Sequence, residues 1–241
     1  MHILNKESSI PLYQQLASVI KQQINTGILK ENDKILTATE LSEKYEVSLI
    51  TVKKAIDLLA EEGTLVKQQG KGTFVATRKL LRTSESFMGF TQLCEMQGYK
   101  ASSEVIKVDF IIAPISDVEK LNLQEEERII RIIRVRKCDG VPVIIEESHF
   151  PMRYSFLLSE DLSGSINKSL NKHGVMINQG IKTINICYAT EDEAKILDIH
   201  PNQALILQKE LNKDENGIPV HTCKQVINAD RYEMVIPFNI K

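Results

Sequence analysis

Two arginines two positions apart, Arg134 and Arg136, stand in an aliphatic run from Arg128 to Cys138 that reads as a β-strand. Residues i and i+2 of a strand share a face, so both guanidiniums project to the side that also carries Ile130 and Ile132. Two cations placed there repel each other unless something compensates. A bound phosphate or carboxylate held by bidentate contacts is one solution. Pairing with Glu146 or Glu147 on the neighbouring strand, or a wet sheet face, is the other, and the residues alone do not choose. A second candidate for anion contact is Gly70-Lys71-Gly72, where two glycines let the backbone approach a phosphate closely and Lys71 adds charge.

Groups for catalysis do not assemble in the same way. Ser148 and His149 are adjacent, so a regular strand sends them to opposite faces and they cannot work as nucleophile and base. The five histidines show no metal-ligand spacing, and Cys94, Cys138, Cys187 and Cys223 form no C-x-x-C pair. They read as ordinary reduced cysteines. There is no G-x-S-x-G, P-loop or dinucleotide fingerprint. No catalytic residue, metal or cofactor is expected.

The chain of 241 residues is 42% hydrophobic, enough for two ordinary domains. It has no apolar run of membrane-spanning length and no signal-peptide core at its start, so a soluble, cytoplasmic protein is expected. Its net charge of -2 argues against coating nucleic acid over the whole surface. Residues 1–78 hold ten Lys or Arg against nine Asp or Glu, so affinity for nucleic acid must come from a local patch, doubled by dimerisation.

Three short helices are expected first. Leu12, Leu16, Val19, Ile20 and Ile24 recur at helical spacing, with Pro11 in the first turn and Gly27 closing. A second helix runs from about Thr39 to Tyr45. Ser48 caps a third, whose Val52, Ala55, Ile56 and Leu59 form one apolar stripe ending at Gly63. Leu65 to Lys67 and Thr73 to Val75 then read as a hairpin with a glycine-rich tip. Helix-turn-helix plus hairpin is a winged helix, which places the third helix in the major groove of DNA and the wing tip at the backbone or minor groove. A plain three-helix bundle with a solvated hairpin fits the same pattern.

The runs Ile10-Pro-Leu-Tyr-Gln-Gln-Leu16, Thr51-Val-Lys-Lys-Ala-Ile-Asp-Leu-Leu-Ala-Glu-Glu-Gly63 and Gln69-Gly-Lys-Gly-Thr-Phe-Val75 resemble the DNA-binding domain of GntR-family regulators. The resemblance implies that Ser48, Thr51 and Lys53 on the third helix, and Gly70, Lys71 and Gly72 on the wing, contact double-stranded operator DNA. Thr37, Thr39, Leu49 and Lys54 complete the expected interface. Two departures stand out: Leu36-Thr-Ala-Thr39 replaces the family's usual Pro-Ser-Glu-Arg, and Leu49 replaces the arginine that usually follows the capping serine. Arginine reads guanine or phosphate bidentately. A non-consensus operator or weaker DNA binding is therefore expected, and a chain that senses without binding DNA stays open.

Beyond Leu80 strands dominate. Glu104 to Ile112 reads as a strand, Ser116 to Leu123 as a helix capped by Ser116, and Arg128 to Cys138 with Val141 to Phe150 as a hairpin around Asp139-Gly140. Helix then hairpin returns at Glu191 to Ile199, Ala204 to Lys213 and the strand after Gly217-Ile-Pro-Val220, which echoes Gly140-Val-Pro-Val143. The expected fold is α+β: a winged helix-turn-helix followed by an antiparallel sheet with helices packed on it and a pocket between the halves. Arg134-Val-Arg136, Val141-Pro-Val with Glu146-Glu-Ser-His149, and Asp230-Arg-Tyr232 resemble the UTRA effector-binding domain of the HutC subfamily, whose fold is chorismate-lyase-like.

That likeness implies a small anionic effector, a sugar phosphate among the options, held by Gly89-Phe90-Thr91, Arg134, Arg136 and Ser165, with Glu146 and Tyr232 on the sugar side. His221 stands where such members have a second glutamate, and Gln179 where they have a further arginine. The expected organisation is a DNA-binding domain over 1–77, a linker over 78–86 that transmits the effector signal, and an effector-binding and dimerisation domain over 87–241. The protein is expected to act as a homodimeric repressor.

Overall fold

A computed structural model describes residues 4–6, 8–77, 79–83 and 88–237. Its contacts divide the chain into two units, 1–78 and 79–241. Among the described residues no helix is long and apolar enough to cross a membrane.

The first unit holds α1 (Leu12–Asn25), α2 (Ala38–Tyr45) and α3 (Leu49–Glu61), then β1 (Leu65–Gln68) and β2 (Gly72–Val75). Pro11 sits just before α1 rather than within its first turn. A capping box starts α2: the Thr37 hydroxyl accepts from Glu40 N, and the Glu40 carboxylate accepts from Thr37 N at 2.7 Å. Glu46 in the left-handed region ends α2. The Ser48 hydroxyl then accepts from Thr51 N at 3.1 Å to start α3. The apolar stripes meet in one core, in which Leu16, Ile20, Val52, Ala55 and Leu59 are buried together with Leu65 and Val75. β1 and β2 pair antiparallel, and a single bridge from Lys34 to Phe74 adds a third short edge. The unit is a winged helix.

The second unit is built on a six-stranded antiparallel sheet in the order β4-β5-β6-β9-β8-β7. Its first half is β4 (Ala101–Ile112), α5 (Ile115–Leu121), β5 (Arg128–Cys138) and β6 (Val141–Pro151). The second half repeats the arrangement as β7 (Ile177–Tyr188), α7 (Glu191–Leu197), β8 (Ala204–Asp214) and β9 (Pro219–Asn228). The halves meet where β6 pairs with β9, and each helix crosses over: α5 packs on β9 and α7 on β6. Asp139 and Gly140, at φ 49 and 81, make the tight turn between β5 and β6 that the dipeptide requires. The opposite face of the sheet carries α4 (Phe90–Met96), a 3₁₀ segment (Met152–Ser159) and α6 (Ile166–Lys172).

Two sequence expectations are corrected. Ser116 does not cap α5; the cap position is Pro114, two residues earlier, and Ser116 lies inside the helix, because proline has its φ already fixed and no N–H to leave unpaired where the helix begins. The residues read as a linker include a strand, β3 (Leu80–Thr83), which pairs in parallel with β10 (Tyr232–Val235). Its free backbone edge is met by Gln97, whose side chain accepts from Leu81 N at 2.9 Å and donates to Leu81 O at 2.6 Å. Arg78 and residues 84–86 of that linker lie outside the described residues, as does residue 87.

Candidate functional site

On the winged helix, the apolar stripe of α3 faces inward and leaves Leu49, Ile50, Lys53 and Lys54 exposed on the outer side. Leu49 and Ile50, 47% and 69% exposed, put apolar surface at the helix start beside two cations. Thr37 and Ser48 are committed as caps, and Thr51 bonds Ser48 Oγ at 2.9 Å, so these hydroxyls are oriented by the helix starts. Thr39 is exposed in the first turn of α2. At the wing, Gly70 and Gly72 have φ of 74° and 126°, conformations that side-chain-bearing residues avoid. A Cβ on Gly72 would meet Lys34 Cε at 2.6 Å. Lys34 thus lies over the wing beside exposed Lys71; sequence reading missed it because the bridge that brings it there spans forty residues of loop and helix.

In the sheet unit the residues expected around an anion converge from both halves. A cleft is lined by Arg82, Gly89, Phe90, Arg134, Arg136, Glu146, Ser165, Glu210, Asn212, His221 and Gln225. The register explains it: Arg134 faces Glu146 across β5 and β6, Glu146 faces Gln225 on β9, and Gln225 faces Gln208 on β8. One row of polar side chains therefore crosses four strands. Arg134 donates through Nη1 to Leu162 O and Gly164 O, both at 3.0 Å, and through Nη2 to Glu146. Gln225 donates to the other Glu146 oxygen at 2.9 Å. The pairing alternative left open by the sequence is thus realised for Arg134, on a face that also bounds a cleft.

Arg136 is held differently. It stacks on Phe90 at 4.8 Å and donates to Thr91 Oγ1 at 3.0 Å, while its nearest carboxylate oxygen, on Glu146, is 3.8 Å away. Burial that these partners do not offset pulls its guanidinium down to about 10. The Nε atoms of both arginines are buried without a partner among the described residues. Burial would raise the Glu146 carboxyl, but Arg134 and Arg136, with the hydrogen bonds from Arg134 and Gln225, hold it at about 2.

At the far end of the cleft His221 stacks on Phe150 at 4.6 Å and lies 3.2 Å from Asn212 Nδ2. Burial lowers its pKa to about 4, so the ring is neutral at pH 7. Glu210 accepts from Asn212 at 3.0 Å and pairs with Lys182 at 2.8 Å. Arg82, on β3, donates to Met88 O at 2.8 Å. Three guanidiniums thus face two carboxylates, and the cleft keeps a cationic excess. Arg82 and Glu210 were missed by the sequence reading: β3 hides in an apparent linker, and Glu210 has no neighbour in sequence that marks it.

Two expected positions, Tyr232 and Thr91, are not in the lining of the cleft. Tyr232 is buried in the apolar cluster with Leu80, Phe90 and Cys94, with its hydroxyl directed to Arg82 at the edge of the cleft. Thr91 reaches the site only through Arg136. Gln179, where such members have an arginine, is exposed on edge strand β7 and donates to Glu215 O at 3.3 Å; it does not line the cleft, although its neighbour Gly180 faces Asn212, which does. Ser165 does line the cleft, as the cap of α6. A Cβ on Gly89 would come within 3.2 Å of Asn167 Nδ2, so the glycine lets α4 and α6 approach. Ser148 faces the cleft and touches Cys223 Sγ, whereas His149 on the opposite face bonds Asp117 at 2.6 Å; the two do not meet.

A winged helix carried with a polar, arginine-lined cleft in a separate antiparallel sheet unit has the make-up of a two-part transcription regulator. Residues 12–75 match the bacterial regulatory proteins of the gntR family, and residues 96–233 match the UTRA domain. The chain belongs to this family of DNA-binding regulators and is not an enzyme. It is 33% identical to the uncharacterized HTH-type transcriptional regulator YurK of Bacillus subtilis, over 97% of this chain and 98% of that one. It is 29% identical to the HTH-type transcriptional repressor NagR of the same species, over 96% of each. The crystal structure of PhnF from Mycobacterium smegmatis shares the fold, with a TM-score of 0.76, 20% identity and coverage of 94% of this chain and all of that one.

Proposed function

We propose that this regulator is a repressor whose hold on operator DNA is set by a small anionic metabolite bound in the cleft of the sheet unit. The observation that carries the reading is the under-compensated Arg136 beside Arg134, with both Nε donors buried and unmet. An anion with two or three oxygens would satisfy those donors and offset the burial of Arg136. The neutral His221, Asn212 and Glu210 then face the uncharged part of the ligand, which fits a phosphorylated sugar. NagR, named as a repressor, supports the direction of control.

On DNA, α3 reads the major groove through Leu49, Lys53 and Lys54, with Thr39, Thr51 and the caps Thr37 and Ser48 near the backbone, and Gly70-Lys71-Gly72 with Lys34 at the flanking phosphates. Two copies hold two half-sites. The edge strands β4 and β7 expose Phe110, Ile112, Ile184 and Ile186, apolar surface for a homodimer. The effector acts on the operator through the segment between the units. Linkage makes the coupling reciprocal: operator weakens effector binding by the factor by which effector weakens operator binding.

The experiment is a thermal-shift screen of phosphorylated sugars and other anionic metabolites, followed by calorimetry with Arg136→Ala and Arg134→Ala. A ligand raising the melting temperature of the wild type and losing at least tenfold in affinity in both variants is expected. A ligand that binds both variants unchanged dismisses the anion site.

A further inference from the structure

Cys94 and Cys138 are forty-four positions apart in sequence, yet their Sγ atoms lie 2.8 Å from each other. Neither is in a disulfide and both are buried, Cys94 completely and Cys138 with 9% of its surface exposed. A covalent disulfide is about 2.05 Å long, so closure needs a shift below about 1 Å. The other two cysteines lack such a sulfur partner: Cys223 touches Ser148 Oγ at 3.5 Å, and Cys187 is half-buried on edge strand β7.

The position of the pair gives it a consequence. Cys94 is in α4, whose first residues Phe90 and Thr91 hold Arg136 by a stack at 4.8 Å and a hydrogen bond at 3.0 Å. Cys138 follows Arg136 by two residues on β5. A bond between the two sulfurs ties together the helix and the strand that share this arginine. We propose that Cys94 and Cys138 form a reversible thiol–disulfide pair, oxidised by a hydroperoxide, that pins α4 to β5.

In the first step the Cys138 thiolate attacks the O–O bond of hydrogen peroxide. The sulfur becomes a sulfenic acid, and the departing hydroxide takes a proton to leave as water. The Cys94 sulfur then attacks the sulfenic sulfur, the S–S bond forms, and the sulfenic oxygen leaves with the Cys94 proton as a second water. Two thiols lose two electrons in all and the peroxide gains them; a small dithiol reverses the change by exchange. The order of attack agrees with the hydrogen bond from Cys94 and the nearby Arg136, which lower the Cys138 thiol, while that same contact and burial raise Cys94. In reducing compartments such pairs are typically transient sensors rather than permanent staples.

The test uses the full-length protein, treated with hydrogen peroxide, alkylated, digested and mapped by mass spectrometry. Expected are one intramolecular cross-link joining the Cys94 and Cys138 peptides, loss of two of the four titratable thiols, and full recovery with dithiothreitol. The melting temperature should rise by roughly 5–10 °C on oxidation. Amide hydrogen exchange in α4 should slow in the oxidised form. Retention of four thiols, or a cross-link through Cys187 or Cys223, overturns the pairing. Unchanged exchange in α4 despite the cross-link overturns its role in pinning the helix. The mapping needs no substituted protein, and Cys138→Ser adds a control that must keep its remaining three thiols. None of these readouts involves effector or operator, so the proposal stands or falls apart from the reading of the cleft.

Discussion

The two units carry their polar chemistry in opposite ways. In the winged helix every buried described side chain is apolar, and the residues aimed at DNA are what the core left outside. In the sheet unit the candidate residues are themselves interior: among the described residues, all buried polar or charged side chains, from Arg82 to Asn228, belong to this unit. A site on the outside of a dry core can change without touching stability. A site made of buried charges cannot, because each member neutralises another. Affinity and stability should therefore separate in the first unit and move together in the second.

The largest effect expected from that contrast is at Glu146. Glu146→Ala leaves Arg134 and Arg136 buried without their carboxylate and should cost about 3–5 kcal/mol in urea or thermal unfolding. Lys53→Ala, on exposed α3, should unfold within about 0.5 kcal/mol of the wild type. Equal unfolding midpoints for Glu146→Ala and wild type would erase the distinction between the units.

Next in size is the pH dependence of stability, which divides the two faces of the sheet. His221, in the cleft, has its folded pKa lowered to about 4. The unfolded chain takes up that proton first, so its contribution is complete above about 6.5 and is lost as pH falls from 6.5 toward 4, about 3 kcal/mol in all. Glu146, depressed to about 2, adds a further loss below about 4.5. His149, on the far face, is pulled down by burial but raised overall to about 9 by Asp117 and Glu147. Its contribution is full below about 6.5 and is lost as pH rises toward 9; being partly exposed, it is worth less than that of His221. Denaturation across pH 4–9 should show a maximum near neutrality. His221→Asn should flatten the acid limb alone, and His149→Gln the alkaline limb alone.

Smaller again are the effects on DNA, measured on duplexes selected from a random pool by the wild-type protein. Lys53→Ala should weaken binding by about 1–3 kcal/mol, and Leu49→Arg should gain a similar amount on a consensus family operator. If the unsubstituted protein already footprints such an operator at low-nanomolar concentration in physiological salt, the two missing arginines do not matter. The smallest change is at the wing: Lys71→Ala should lower the slope of log affinity against log salt by about 1, with little change in sequence preference.

Much of this molecule is legible in its sequence. Helical stripes, the cap at Ser48, and glycines that need positive φ are local signals, because a turn or a cap is decided by neighbours within a few positions. The same holds for the Asp139-Gly140 hairpin and for the twice-repeated order of helix and hairpin. The Thr37 capping box, equally local, was not read from the sequence. Strand alternation placed Arg134 and Arg136 on one face, and family likeness brought in Gly89, Ser165 and His221. Which of two compensations those arginines use depended on the register of β5 against β6, set by the whole strand pair, which put Glu146 opposite Arg134. Packing also decided what local patterns could not carry: Arg82 enters the cleft only because β3 finds β10 about 150 residues away, and that same pairing buries Tyr232 behind it. Lys34 reaches the wing, and Cys94 meets Cys138, for the same physical reason: contacts between distant segments are chosen by burial of the entire core, not by any short stretch of chain.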